Sequence, residues 1–305
     1  MLIKKINILV FYFLFMSITV VFAQQDPHYT QYMYNQNIIN PAYAGSKGTL
    51  SLSFLARSQW IGFSGAPETF TLTIHSPIGD KTGLGLSIIH DEIGPVIENN
   101  IYTDFSYTLH FENEKKIAFG VKAGLTILDV SSINGLDPDD VLNTPIQNSS
   151  PNFGAGIFYY SSKFYAGFSI PNFFETRHLE LENGVNTTAS EKTHYFFTSG
   201  YVFDINNSLK LKPSTMFKAT SGSLVSIDVS LNALYNNVFE FGLNYRFDDS
   251  FSGVLGFQIS DKFKLGYAYD YTTSNLSKFN SGSHEVILIY DFKIFKSRLK
   301  SPRYF

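Results

Sequence analysis

The stretch Lys262–Thr273, KFKLGYAYDYTT, constrains the fold more than any other part of this chain. Phe263, Leu265, Tyr267, Tyr269 and Tyr271 alternate with Lys264, Gly266, Ala268, Asp270 and Thr272. Successive side chains of a β-strand point to opposite faces, so this segment has an aromatic face and a polar or small one. Similar segments recur through the chain, separated by turns rich in Asn, Asp, Ser and Gly. The pattern has two physical solutions. A soluble β-sandwich would bury the aromatic faces in a dry core. A membrane barrel would turn them toward lipid and keep the polar faces for its lumen.

The start of the chain bears on the choice. Met1–Ala23 has basic Lys4 and Lys5, an apolar run from Ile8 to Phe22, and small Ala23 at its end. This is the pattern of a secretory signal peptide cleaved before Gln24; the competing reading is a membrane anchor. No Cys follows Ala23, which argues against a lipoprotein, and the absence of Cys excludes a disulfide scaffold and a thiolate metal site. No later run is long and apolar enough for a transmembrane helix, so membrane insertion would require a barrel. Charged residues make up 16% of the chain against a usual quarter, and aromatics also reach 16%. That balance suits a lipid-facing surface with Tyr and Phe girdles. Without Lys4 and Lys5, 21 of the 23 basic residues face 26 acidic ones, a charge of −5. Nothing in this mild acidity points to a nucleic-acid partner.

Residues 24–48 are not strand-like. The segment is rich in Asn, Gln and Tyr and is broken by Pro27 and Pro41, with Gly45 marking a turn. We expect it to plug or skirt the periplasmic side of a barrel. About fourteen strand segments follow within residues 49–295, and residues 296–305 form a tail. Most segments have the roughly 9–11 residues that cross a bilayer as a tilted strand. The expectation is an all-β, antiparallel transmembrane barrel of about fourteen strands. Counting from a periplasmic N-terminus, the connections Ile61–Pro67, Asp91–Asn99, Ser131–Asn152 and Pro171–Lys192 would face outward.

Particular residues also carry a family resemblance. QYMYNQNIINPAYAGSKG (Gln31–Gly48), SFLARSQWIGFSGAPETFTLTIHSPI (Ser53–Ile78) and TGLGLSIIHDEIGP (Thr82–Pro95) resemble the PorP/SprF family. So do LDPDD (Leu136–Asp140), PNFGAGIFYYSSKFYAGFSIPN (Pro151–Asn172), KLKPSTMFKAT (Lys210–Thr220), GSHEVILIYDF (Gly282–Phe292) and the final SPRYF. Members are outer-membrane β-barrels of the type IX secretion system of Bacteroidetes. The resemblance implies a protein without enzymatic activity that assists secretion or surface attachment of large cargo, such as adhesins, in some members linked to gliding motility. The implied partners are membrane lipid, the cargo and other type IX secretion components, and no cofactor. The alternatives are an outer-membrane porin or small hydrophobic-substrate transporter, and a soluble β-sandwich adhesin.

The shared N-terminal block maps onto Tyr32, Asn35, Asn37, Asn40, Pro41, Ala42 and Gly45. These residues either dock a partner and cap the lumen, or tie the N-terminus to the barrel wall through Asn side chains. Arg57 faces the lumen by alternation and could pair with Asp104 or Glu68, since intramembrane charges normally face inward in pairs. Trp60, the single Trp, ends the first strand as an interfacial anchor would. Asp137, Asp139 and Asp140 supply oxygen ligands in principle, but the segment lacks the Gly and distal Glu of a calcium loop. A turn or helix cap is the plainer reading, and a loop placed outside would suit cargo contact. The histidines lack metal-site spacing, and the Gly pairs alternate inside strands with no helix to complete a phosphate loop.

Overall fold

The computed structural model describes residues 28–131, 146–174, 193–220 and 224–292. Its strands are β1 Leu50–Ser58, β2 Glu68–Pro77, β3 Thr82–Ile93, β4 Val96–His110, β5 Lys116–Val130, β6 Ile146–Tyr160, β7 Phe164–Ile170 and β8 His194–Tyr201. There follow β9 Phe203–Asp204, β10 Leu209–Thr220, β11 Ser226–Tyr235, β12 Phe239–Arg246, β13 Ser250–Gln258, β14 Phe263–Thr272 and β15 Ser283–Phe292. Each strand pairs antiparallel with its sequence neighbour, and β1 pairs with β15. The two-residue β9 continues β8 past Val202 along the same partner, β10. The sheet thus closes into a fourteen-strand antiparallel barrel with β9 as one extra piece.

Alternation resolves in favour of the inside-out solution. In β5, Val121 is 57% exposed while its neighbour Lys122 is 2% exposed. In β14, Leu265, Tyr267 and Tyr271 face outward, and Lys264, Gly266, Ala268 and Asp270 are buried inside. A closed barrel leaves no unpaired strand edge, which is what a chain without water around its backbone requires. In β15 the inner row is mixed, because Ile287 and Ile289 are buried beside Glu285.

The two ends of the barrel differ. One end carries short turns, at residues 78–81, 111–115, 161–163, 205–208, 236–238 and 259–262. At residues 236–238 the chain reverses with Asn236 and Asn237 at φ 51° and 55°, the left-handed pair a two-residue hairpin needs. This turn end is also where β1 begins and β15 finishes. The opposite, loop end carries the longer connections, among them residues 59–67 and 273–282. These two are joined: Ile61 N donates to Gly282 O at 2.8 Å and Ser281 N to Ile61 O at 2.8 Å.

Two expectations need correction here. Asp91–Asn99 is not a loop: β3 runs to Ile93, β4 starts at Val96, and only Gly94 and Pro95 turn the chain. Likewise β5 continues to Val130, and β6 begins at Ile146, ahead of the expected Phe153. Both extensions lie at the loop end. There, polar residues such as Asp91, Glu92, Glu98 and Asn99 occupy both faces, so the ladder continues without the alternation that lipid imposes.

Candidate functional site: the segment inside the barrel

The N-terminal segment lies inside the barrel, and every residue from Tyr29 to Ala44 is buried. It folds as three single turns, Tyr32–Tyr34, Gln36–Ile39 and Pro41–Tyr43. Pro41 opens the last of these, where its missing N–H costs nothing. Asn40 caps that turn by accepting from Ala42 N at 3.0 Å, and its Nδ2 donates to Ile157 O at 3.1 Å. One side chain therefore both shapes the segment and fastens it to the wall.

At the loop end, ionic groups hold the segment. The Glu285 carboxylate accepts from Thr30 N at 3.0 Å and from Gln31 N at 2.8 Å. The Thr30 hydroxyl donates to Asp270 at 2.7 Å, the nearer of its two oxygens. Arg57 joins both acids, with Nη2 at 2.7 Å from Asp270 and Nη1 at 3.1 Å from Glu285. All three side chains are almost fully buried. Arg57 thus faces the lumen as its alternation predicts, but its partners are neither Asp104 nor Glu68. Closure sets β15 beside β1 with Glu285 opposite Arg57, and β14 brings Asp270 one strand further. Asp104 instead stands opposite Lys122 at 3.7 Å and accepts from Asn37 Nδ2 at 2.9 Å. Glu68 accepts from Ser58 on the exposed side.

Tyr34 has the Lys264 ammonium 3.8 Å from its ring centroid and Lys212 at 5.8 Å, both near the turn ends of their strands. Lys264 in turn pairs with Glu240 at 2.6 Å, which also accepts from Asn232. Asn35 Oδ1 accepts from the Thr73 hydroxyl at 3.0 Å. Lys122 Nζ donates to Ile38 O at 2.7 Å, and the Ser169 hydroxyl to Ile39 O at 2.6 Å. These bonds satisfy carbonyls that the segment's short turns leave open.

Toward the turn end the contacts become steric. Tyr43 packs edge-on against His75 and Phe158, each at 5.4 Å between centroids. The Ser106 hydroxyl donates to Ala44 O at 2.7 Å. Gly45, at φ 73°, donates its N–H to His75 Nδ1 at 3.2 Å. Gly83, Gly120 and Gly156 line this wall so closely that a Cβ on any of them would strike Ala44, Ala42 or Asn40 respectively.

The segment is therefore not confined to one side of the barrel, as the sequence suggested; it spans the lumen from the loop end to the turn end. Tyr32, Asn35, Asn40, Pro41, Gly45 and Arg57 come together there. Trp60 does not: it sits half-buried in the first loop at φ 46°, its N–H donating to Ser283 Oγ at 3.2 Å. Asp137, Asp139 and Asp140 lie outside the described residues. The sequence reading missed Thr30, Asp270 and Glu285 as segment contacts. Asp270 and Glu285 carried a signal as acids at inward positions of membrane-length strands, and Thr30 carried none. Among the described residues, no group of three or more His, Asp or Glu is placed to hold a metal.

None of the curated proteins matches the chain. Among solved structures, the monoaromatic hydrocarbon channel CymD aligns over 87% of this chain and 93% of its own, with 13% identity and a TM-score of 0.50, a likeness of fold. The outer membrane protein Omp33 of Acinetobacter baumannii aligns over 81% and 100% at 6% identity with a TM-score of 0.49. A Pseudomonas aeruginosa FadL homologue aligns over 89% and 96% at 13% identity with a TM-score of 0.47. Residues 21–290 match the family described as type IX secretion system membrane protein PorP/SprF. With that match running from the N-terminal segment through nearly all of β15, the chain belongs to the PorP/SprF family of type IX secretion membrane proteins.

Proposed function

We propose that this outer-membrane barrel is a non-enzymatic accessory of type IX secretion that assists the export or surface attachment of cargo such as adhesins. In this reading the N-terminal segment is a plug, the short turns face the periplasm, and the long loops face outward to meet cargo. The observation that carries it is the filled lumen: from Tyr29 to Ala44 the segment is buried, with partners on strands all round the wall. A barrel closed this way is suited to holding a partner at its rim rather than passing solutes.

Deleting the gene and comparing the surface and secreted proteins with those of the parent tests the role. Loss of at least one type IX cargo from the surface is expected, while an unchanged set would overturn it. Purified protein in planar bilayers tests the plug: little conductance is expected. Steady ion-conducting openings would favour the alternative, a porin or small hydrophobic-substrate transporter.

A further inference from the structure

Where the segment leaves the barrel at the turn end, it does not fill the mouth. A cleft of about 330 Å3 opens between Ala44–Gly48 on one side and the 78–81 turn with the ends of β4, β5 and β6 on the other. Pro77, Ile78 and Tyr160 supply its apolar surface, and Ile78 is 56% exposed. His110, Lys116, Lys81 and Asp80 set its charge. His110 stands opposite Lys116 and Lys116 opposite Tyr160, so the three form one row across β4, β5 and β6. Two positions along each strand lie Thr108, Ala118 and Phe158, all buried, so the row has inward parity. The Lys116 ammonium is 5.8 Å from the Tyr160 ring centroid. Lys81 is brought to the same place because its carbonyl accepts from Thr108 N at 2.6 Å, which ties the turn to β4. His110 is close enough to feel the charges of Lys116, Lys81 and Asp80. Among the described residues, neither the Lys81 ammonium nor the His110 ring has a hydrogen-bond or ion-pair partner. Glu112 and Glu114, in the next turn, are exposed and lie outside the lining.

We propose that this cleft is a docking site for an extended acidic segment of a partner protein, which sets a carboxylate between Lys81 and Lys116 and lays an apolar side chain on Ile78. Charge-assisted hydrogen bonds from two ammonium groups favour an anion there, and the apolar wall gives its neighbours a surface to cover. Asp80 already offsets one lysine, so the remaining charge suits a single carboxylate better than a doubly charged phosphate. The cleft opens at the rim beside the exposed 78–81 and 111–115 turns. An occupant held there continues onto the surrounding surface, as a polypeptide does and a free small acid does not. The inference rests on the accessory role for the partner's location, which in that orientation is the periplasm.

Photocrosslinking in cells tests it. Ile78 is replaced in the full chain by benzoylphenylalanine, the cells are irradiated, and the adducted stretch is sequenced by mass spectrometry. The same replacement at Asn237, exposed at the same end but outside the cleft, is the control. A protein adduct is expected from position 78 and not from position 237, on a stretch that contains Asp or Glu. Lys81→Gln combined with Lys116→Gln should cut that adduct roughly tenfold, as loss of charged hydrogen bonds does. Lys81→Arg combined with Lys116→Arg should keep it, and heat-modifiable migration checks that each variant is folded. An undiminished adduct in the glutamine variant, an adducted stretch without Asp or Glu, the same adduct from both positions, adducts with lipid alone, or none at all overturns the proposal. If cargo is still lost on deletion of the gene, the accessory role survives any of these. The expected adduct in a strain whose cargo is unaffected by the deletion does the reverse, leaving the docking site and overturning the role.

Discussion

The barrel grips its N-terminal segment with two unlike walls. Around β12, β14, β15 and β1 the inner face is ionic: Arg57, Asp270 and Glu285 form one cluster, and Lys264 with Glu240 forms another. Around β3, β5 and β6 it is built of Gly83 and Gly120, which let the segment's backbone approach directly, and Gly156, which makes room for the Asn40 side chain. The Arg57 cluster takes the end of the segment nearest the loops and the glycine wall the end nearest the turns, while Lys264 and Glu240 reach Tyr34 from the turn ends of β14 and β12. The difference teaches where a change would loosen the segment and where it would expel it. A charge cluster fails when one member is lost and the others stay buried without compensation. A close-packed backbone contact fails when anything is added.

The largest effect is expected from the ionic wall. Arg57→Ala leaves Asp270 and Glu285 buried with much of their compensation gone, and breaking a buried pair this way costs about 3–5 kcal/mol. The midpoint of urea unfolding in detergent, followed by heat-modifiable gel migration, should fall accordingly. The loss should be smaller for Arg57→Lys, which keeps the charge but not the two-pronged geometry joining both acids. Equal losses for the two would mean that geometry contributes nothing and the comparison of walls is wrong about Arg57.

On the glycine wall the expected cost is lower but the structural consequence sharper. Gly120→Val adds atoms where Pro41 and Ala42 lie, and overpacking of this kind costs about 1–3 kcal/mol. Strands of a closed barrel cannot give way independently, so the turn-end half of the segment should be displaced. Limited proteolysis between Asn40 and Gly48 should then appear in a barrel that still migrates as folded. Gly253 is the control: it lies on the outer face, where a Cβ meets nothing within 4 Å, so Gly253→Val should leave the proteolysis pattern unchanged. If both variants behave alike, the glycines facing the segment serve strand geometry and not the close approach.

What was legible in the sequence follows from what enforces it. Tyr267 and Asp270 could be assigned to opposite sides because lipid and lumen demand different chemistry at every second residue. The same rule placed Arg57 inside. It could not find Glu285, which lies 228 residues away, because that pairing exists only once the sheet closes and β15 meets β1 in register. Nor could it follow β3 and β4 past Asp91 and Glu98, where water on both faces removes the alternation while the backbone ladder continues. The N-terminal block was conspicuous for its Asn and Tyr, and six of its neighbours and members do meet in the lumen. Its direction was illegible, since polarity along the barrel is set by which wall residues are deep, not by anything local to Gln31–Gly48.

Asn40 stands where the two modes of holding meet, and the smallest predicted effect concerns it. Its side chain accepts from Ala42 N and donates to Ile157 O, while Gly156 beside it makes room. Loss of a side-chain cap costs about 1 kcal/mol, and Asn40→Ala should lower the unfolding midpoint by an amount of that order. Asn40→Asp keeps the acceptor for Ala42 N but sets a carboxylate against the Ile157 carbonyl, so it should be more harmful than Asn40→Ala. Asn40→Ser keeps the cap and loses only the reach to the wall. A Ser variant as stable as the parent would assign the residue to shaping the Pro41–Tyr43 turn. One as unstable as Asn40→Ala would assign it to fastening that turn to β6, and the glycine wall would then hold its end of the segment by bonding as well as by fit.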